Sequence, residues 1–104
     1  MPKFILAYHG GGMPETEEEG ARVMAAWQSW LEGMGAACVD MGNPVGLSRT
    51  VHADRIVDDG GANPLSGYSI IEAADMDAAC TLARGCPILE GASGTVEVAP
   101  IMEM

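Results

Sequence analysis

An α+β sandwich, two helices laid on one face of an antiparallel sheet, is what this 104-residue chain predicts. Three observations carry that expectation. Lys3 to His9 alternates as a strand, with Phe4, Leu6 and Tyr8 on one side and Ile5, Ala7 and His9 on the other. Thr16-Glu-Glu-Glu19 is a capping box that opens a run with apolar residues at helical spacing. The stretch Gly67–Pro87 switches period once, at Asp75, from a short β-branched run to Met76, Ala79, Cys80 and Ala83, again at helical spacing.

In chain order, a first strand with apolar residues on both sides is expected to be central, and Gly10-Gly11-Gly12 ends it. Three glycines after a strand invite a phosphate-loop reading. The run lacks both the GxGxxG spacing and the lysine and hydroxyl of GxxxxGK[ST], so a flexible connection at a cleft mouth is preferred. The carboxylates Glu15, Glu17, Glu18 and Glu19 suit a helix start, where the dipole favours negative charge, better than a metal site. That helix is expected to reach about Met34, with Val23, Met24, Trp27, Leu31 and Met34 as its apolar stripe and Gly35 as its left-handed stop.

Ala36 to Met41 reads as a second strand and Gly42 to Gly46 as a shaped loop. Thr50 to Val57 suits an extra or edge strand, and Asp58 to Pro64 is a turn that would pair it with Gly67–Ala73 as a hairpin. Asp75 caps the second helix, Gly85 is expected to stop it in a left-handed conformation, and Pro87 forbids continuation. Ile88 to Gly94 makes a short excursion before Thr95 to Pro100 closes the sheet, leaving Ile101 to Met104 as a tail.

Assembled, the order is a ferredoxin-like βαββαβ sandwich with an additional edge strand or hairpin, forming a single domain over residues 1–104. Right-handed crossovers place both helices on the same face, where Leu6, Ile71, Val96 and Val98 would meet Trp27 and Ala79. The opposite face would carry Ile5, Ala7, Tyr68, Ile70, Ala99 and Ile101 beside His9, Glu72, Thr95 and Glu97. An apolar patch beyond a few hundred Å² is uncommon on a monomer, so a homodimer through the helix-free sheet face is expected.

Fifteen acidic residues against five basic ones give a formal charge of -10. Lys3, Arg22, Arg49, Arg55 and Arg84 are too few and too dispersed for the positive stripe that nucleic acid demands, and an anionic membrane would repel this surface. Neither is an expected partner. Cys38, Cys80 and Cys86 form no CxxC. Cys80 falls on the second helix's apolar face and reads as a small buried hydrophobe, while Cys86 beside the helix end reads as the more exposed thiol. The chain opens on a strand and not on a long apolar run, so the cytoplasm is the expected location. At this length the radius of gyration should be about 13 Å.

Candidate site residues are few. His9 ends the central strand at a glycine loop, where an imidazole can face a pocket and act as acid or base; its structural alternative is a hydrogen-bonded spacer. His52 sits in the edge segment and reads more readily as a surface residue than as a ligand contact. Asp59, Asp40, Glu97 and Glu72 are the carboxylates that folding would have to bring beside a histidine. Tyr68 shares the helix-free face and can position a ligand there or pack across an interface, and Trp27 can line a pocket from the helix side or fill the core. Two separated histidines without HxH, HExxH or a Cys/His cluster give no metal site, and no motif calls for a cofactor.

Taken together, PKFILAYHG, Trp27-x-x-Trp-Leu-x-x-Met-Gly35, Gly42-Asn-Pro44, Val57-Asp-Asp-Gly60, Gly67-Tyr-Ser-Ile-Ile-Glu-Ala73, Asp77-Ala-Ala79, Gly85-Cys-Pro87 and Thr95-Val-Glu-Val98 resemble the YCII-related (YciI-like, DGPF-containing) proteins of the dimeric α/β-barrel superfamily. The resemblance implies a ferredoxin-like dimer whose sheets flank a cleft. Its better-known relatives include dehalogenases of small aromatic compounds and muconolactone-type isomerases. Some members resemble catalysts with a His-Asp pair whose histidine lies on the first helix, where this chain has Trp27, and the Asp-Gly-Pro-Phe loop is here Asp59-Gly-Gly-Ala62. Two readings therefore stand: a small-metabolite binding or accessory dimer, and, as the alternative, a cofactor-independent isomerase or lyase acting by acid–base chemistry on a small aromatic or carboxylated metabolite.

Overall fold

The computed structural model describes residues 1–11, 15–90 and 93–103. The chain runs β1 (Lys3–His9), α1 (Glu17–Gly33), β2 (Cys38–Asp40), β3 (Thr50–Val51), β4 (Ile56–Val57), β5 (Leu65–Glu72), α2 (Met76–Ala83) and β6 (Thr95–Pro100). Four strands form an antiparallel sheet in the order β2-β5-β1-β6, while β3 and β4 pair only with each other. Both helices lie on one face, which makes this the expected ferredoxin-like sandwich.

The first strand is central, as its two-sided apolar pattern requires: β5 pairs with one edge and β6 with the other. Phe4, Leu6 and Tyr8 are buried beneath the helices, together with Ile71 and Ala73. The two helices meet this layer differently. Helix α2 presents Ala79 and Ala83, both buried, and small side chains let its backbone come close. Helix α1 has no fully buried residue. Its indoles, Trp27 and Trp30, are the contact and hold its axis off the sheet, so Val23 and Met24 of the expected stripe stay 37% and 70% exposed.

Several local expectations are corrected. Thr50–Val57 is not one strand but a hairpin, closed by the His52 amide donating to the Arg55 carbonyl at 2.8 Å. It does not pair with β5, because β1 and β2 already occupy both edges of that strand. The second strand is shorter than Ala36–Met41, since Gly35–Ala37 forms a 3-10 turn before it. Gly35 does take the left-handed conformation (φ 56°), but Gly85 does not. What Gly85 supplies is space: a Cβ there would sit 3.0 Å from the Trp30 indole. Gly12, in the glycine run, and Gly91, Ala92 and Met104 lie outside the described residues. The radius of gyration is 14.7 Å within a slab of 44 × 40 × 20 Å, above the globular expectation.

The thiols are also reversed. Cys80 is exposed and Cys86 buried. The turn after α2 explains it: the Cys86 amide donates to Ala83 and the Cys86 carbonyl accepts from Leu89, folding the thiol back under the helix instead of letting it run on into solvent. Burial pushes the Cys86 thiol up to about 11, with a backbone hydrogen bond from Ile88 opposing the shift. A thiol reagent should therefore label Cys80 first, and label Cys86 only on unfolding, even at a pH where an ordinary cysteine is already ionised. Mass spectrometry of the labelled peptides checks the order.

Candidate functional site

Helix α1 is set by its cap. Thr16 is the N-cap, its Oγ1 accepting from the Glu19 amide at 3.0 Å, and the Glu19 carboxylate reaches back to the Glu15 amide at 3.3 Å. This start carries Trp27 and Trp30 over β1. There they form an aromatic trio with Tyr8, all edge-on: centroids 4.8 Å apart for Tyr8 and Trp27, 6.3 Å for Tyr8 and Trp30, 5.7 Å for the two indoles. Trp30 Nε1 donates to the Leu82 carbonyl at 3.0 Å, which ties α1 to α2.

Beneath the trio runs a hydrogen-bond chain. The Tyr8 hydroxyl donates to Ser69 Oγ at 2.7 Å, and Ser69 Oγ donates to the Met41 carbonyl at 2.7 Å. Ser69 is wholly buried, so both bonds replace water that cannot reach it. Burial raises the Tyr8 phenol far above the usual tyrosine range, against the opposing hydrogen bond to Ser69, and it keeps its proton.

The Met41 carbonyl begins a rim. Gly42 turns the chain at φ 71°, its amide donating to Asp40 Oδ1 at 2.8 Å, and Asn43 accepts from the Tyr68 amide at 3.3 Å. Pro44 then bridges to Gly67. Between this rim and α1 lies a cavity of about 460 Å³. Helix α1 lines it with Met24, Trp27, Gln28 and Leu31, and the rim with Met41, Gly42, Asn43 and Pro44. Tyr8, Ser66, Gly67 and Tyr68 complete the wall from the sheet. It exists because the indoles prop α1 open while the rim is drawn down onto β5. Its size falls within the range of small-molecule sites, and its wall is mostly apolar.

A second polar centre lies across the sheet. His9 Nδ1 is 2.9 Å from the Asn63 carbonyl and Nε2 is 3.0 Å from Glu97 Oε1. The Asn63 carbonyl can only accept, so this contact is a hydrogen bond donated by Nδ1. Glu97 is opposite Ala7 on β6 and two residues along from the Thr95–His9 pair, which places the carboxylate diagonally across from the imidazole. The His9 side chain is 22% exposed and that of Glu97 70% exposed.

Of the residues singled out from sequence, Trp27 and Tyr68 border the cavity. His9 does not, and of the four carboxylates named it meets Glu97. His52 is exposed on the β3–β4 hairpin. Asp59 builds the following turn, its carboxylate accepting from the Gly61 amide at 3.0 Å and its carbonyl from Thr50 Oγ1 at 2.7 Å. Among the described residues, no three His, Cys, Asp or Glu side chains converge as a metal site would require. Sequence reasoning missed Tyr8, Gln28 and Met41 as cavity residues. The one available signal was the punctuated Gly42-Asn-Pro44, which marks a shaped loop without saying what it shapes.

A family model described as the YCII-related domain matches residues 1–104. No curated protein sequence matches the chain. Among solved structures, the chain is similar to a 5-chloro-2-hydroxyhydroquinone dehydrochlorinase from Burkholderia phenoliruptrix AC1100, in complex with 2,5-dihydroxybenzoquinone. The TM-score is 0.57 at 16% identity, over 96% of this chain and 95% of that one, a likeness of fold.

Gly42 is where the rim is most sensitive. A Cβ there would fall 1.7 Å from the Tyr68 carbonyl oxygen, against backbone that cannot swing aside, and φ is already positive. Gly42→Ala should lower stability by roughly 1–3 kcal/mol and displace the Met41–Pro44 rim. Chemical denaturation, with Trp27 and Trp30 emission as the reporter of the rim, measures both.

Proposed function

The chain belongs to the YCII-related family, and from its cavity we propose that it is a cofactor-independent enzyme acting by acid–base chemistry, of the isomerase or lyase kind, on a small aromatic metabolite. The observation that carries this is the cavity of about 460 Å³ with Tyr8 and Trp27 in its wall. A dry cavity of about 150 Å³ already accepts benzene, so one substituted ring fits with room to spare. That the structurally similar dehydrochlorinase acts on a chlorinated hydroxyhydroquinone supports the aromatic substrate class.

Proton transfer is assigned to His9. The Asn63 carbonyl holds the Nδ1 hydrogen and so orients the ring, which makes Nε2 the exchanging nitrogen. Glu97, largely in solvent, is free to leave Nε2 or return to it. His9 does not line the cavity, so the proposed reaction requires the bound ring to extend past Tyr68, which borders the cavity and, by strand alternation, shares the helix-free face with His9. His52 and Asp59, which lie on the hairpin and its following turn, are given no part in the chemistry.

A second reading, binding without turnover, draws on one observation: the cavity wall itself carries no histidine or carboxylate. Chlorinated hydroquinones separate the two. Under the enzymatic reading the protein releases chloride, His9→Ala lowers the rate by about 10²- to 10⁴-fold, and affinity in the cavity, followed by tryptophan emission, does not change. Binding without any turnover would favour the accessory reading, and full activity in His9→Ala would end the role given to His9.

The helix-free face is proposed to be covered by a second copy. Ile5, Ala7, Ile70 and Ala99 are half-buried there, and both described helices lie on the opposite face. Light scattering at micromolar concentration should give the dimer mass, and Ile5→Lys should halve it. A monomer mass for the unmodified chain would overturn this assembly.

A further inference from the structure

The charges around the cavity specify its ligand more narrowly. None of the twelve residues lining it is Lys, Arg, His, Asp or Glu. Two carboxylates bond to lining residues without lining the cavity themselves: Glu32 accepts from the Gln28 side-chain amide at 3.0 Å, and Asp40 from the Gly42 amide at 2.8 Å. The chain as a whole carries a formal charge of -10. A carboxylate entering this space would give up hydration with no cation in the wall to meet it. An ammonium group would likewise give up hydration with no anion in the wall to meet it, Glu32 and Asp40 being bonded to Gln28 and Gly42 and not among the lining residues.

The polar groups present are neutral. Gln28 and Asn43 bring side-chain amides to the border, and Ser66, also in the wall, has a solvent-shielded Oγ with no hydrogen-bond partner. The Tyr8 hydroxyl adds no donor, its hydrogen being committed to Ser69. Apolar surface therefore receives the ring, and neutral donors and acceptors receive its substituents.

We infer that the cavity is selective for an uncharged aromatic ring bearing hydroxyl, carbonyl or amide substituents, and that it rejects carboxylated and cationic rings of the same shape. This rests on the proposal above that the cavity is the ligand site, and it removes the carboxylated metabolites from the substrate class.

Three probes of nearly equal shape test it: 4-hydroxybenzamide, 4-hydroxybenzoate and 4-hydroxybenzylamine, which at neutral pH are uncharged, anionic and cationic. Affinities come from tryptophan emission and isothermal calorimetry. The amide should bind at least about tenfold more tightly than either charged probe. Gln28→Lys, a change at an exposed helix position, should raise the affinity for the benzoate by about tenfold while circular dichroism stays the same. Equal or tighter binding of the benzoate or the benzylamine to the unmodified protein would overturn the selectivity and leave the cavity as the ligand site. Failure of all three to bind would overturn the cavity assignment, and the selectivity with it.

Discussion

The chain of hydrogen bonds from the Tyr8 hydroxyl through Ser69 Oγ to the Met41 carbonyl is the constraint on which the site depends. It joins the central strand, its neighbour and the loop after β2 in a place closed to solvent. Each bond contributes only about 1 kcal/mol net, but a buried hydroxyl left without its partner would cost about 1–3 kcal/mol, so the three groups hold one another in place. A phenylalanine at position 8 would fill the same space and leave Ser69 without its donor. The Met41–Pro44 rim is therefore part of the core's hydrogen bonding and not a free loop, and the cavity it borders is preformed.

The other half of the cavity comes from the unequal packing of the two helices. On α2, alanines at positions 79 and 83 give a close, dry contact with the sheet. On α1, Trp27 and Trp30 make that contact with the widest side chains available, and the edge-on packing with Tyr8 fixes their spacing. Trp30 settles into the gap left by Gly85 and bonds to Leu82, so it belongs structurally to both helices. Trp27 remains at the cavity wall. The same two residues thus stabilise the layer and hold it open, at the cost of leaving Met24 and Val23 partly in water.

The sheet separates two kinds of chemistry. On its helix side is an apolar space with neutral polar groups at the border, and on its other side a histidine held between a carbonyl and a carboxylate. Consecutive residues of one strand, Tyr8 and His9, supply the wall of the first and the centre of the second, because alternate side chains point to opposite faces. In the proposed dimer, the helix-free side of each sheet is enclosed by the other copy.

Much of the framework was legible in the residues themselves. The period change at Asp75, the capping box at Thr16 and the alternation of Lys3–His9 are local signals, each fixed by bonds or side-chain directions within a few residues, and the elements they announce appear where expected. What depended on distant partners was not legible. Cys86 is buried because the chain turns back after α2, Thr50–Val57 forms its own hairpin because β5 has no free edge, and Gly85 is required by an indole 55 positions away in the chain. The site follows the same rule. Trp27 and Tyr68 could be named from their residue types and faces, but the cavity arises only where α1, the Met41–Pro44 rim and β5 meet, and the His9–Glu97 pair only where two antiparallel strands set residues 88 positions apart side by side. Sequence determines local conformation through short-range sterics and hydrogen bonds, whereas a cavity is the space between surfaces and takes its shape only when the surfaces are brought together.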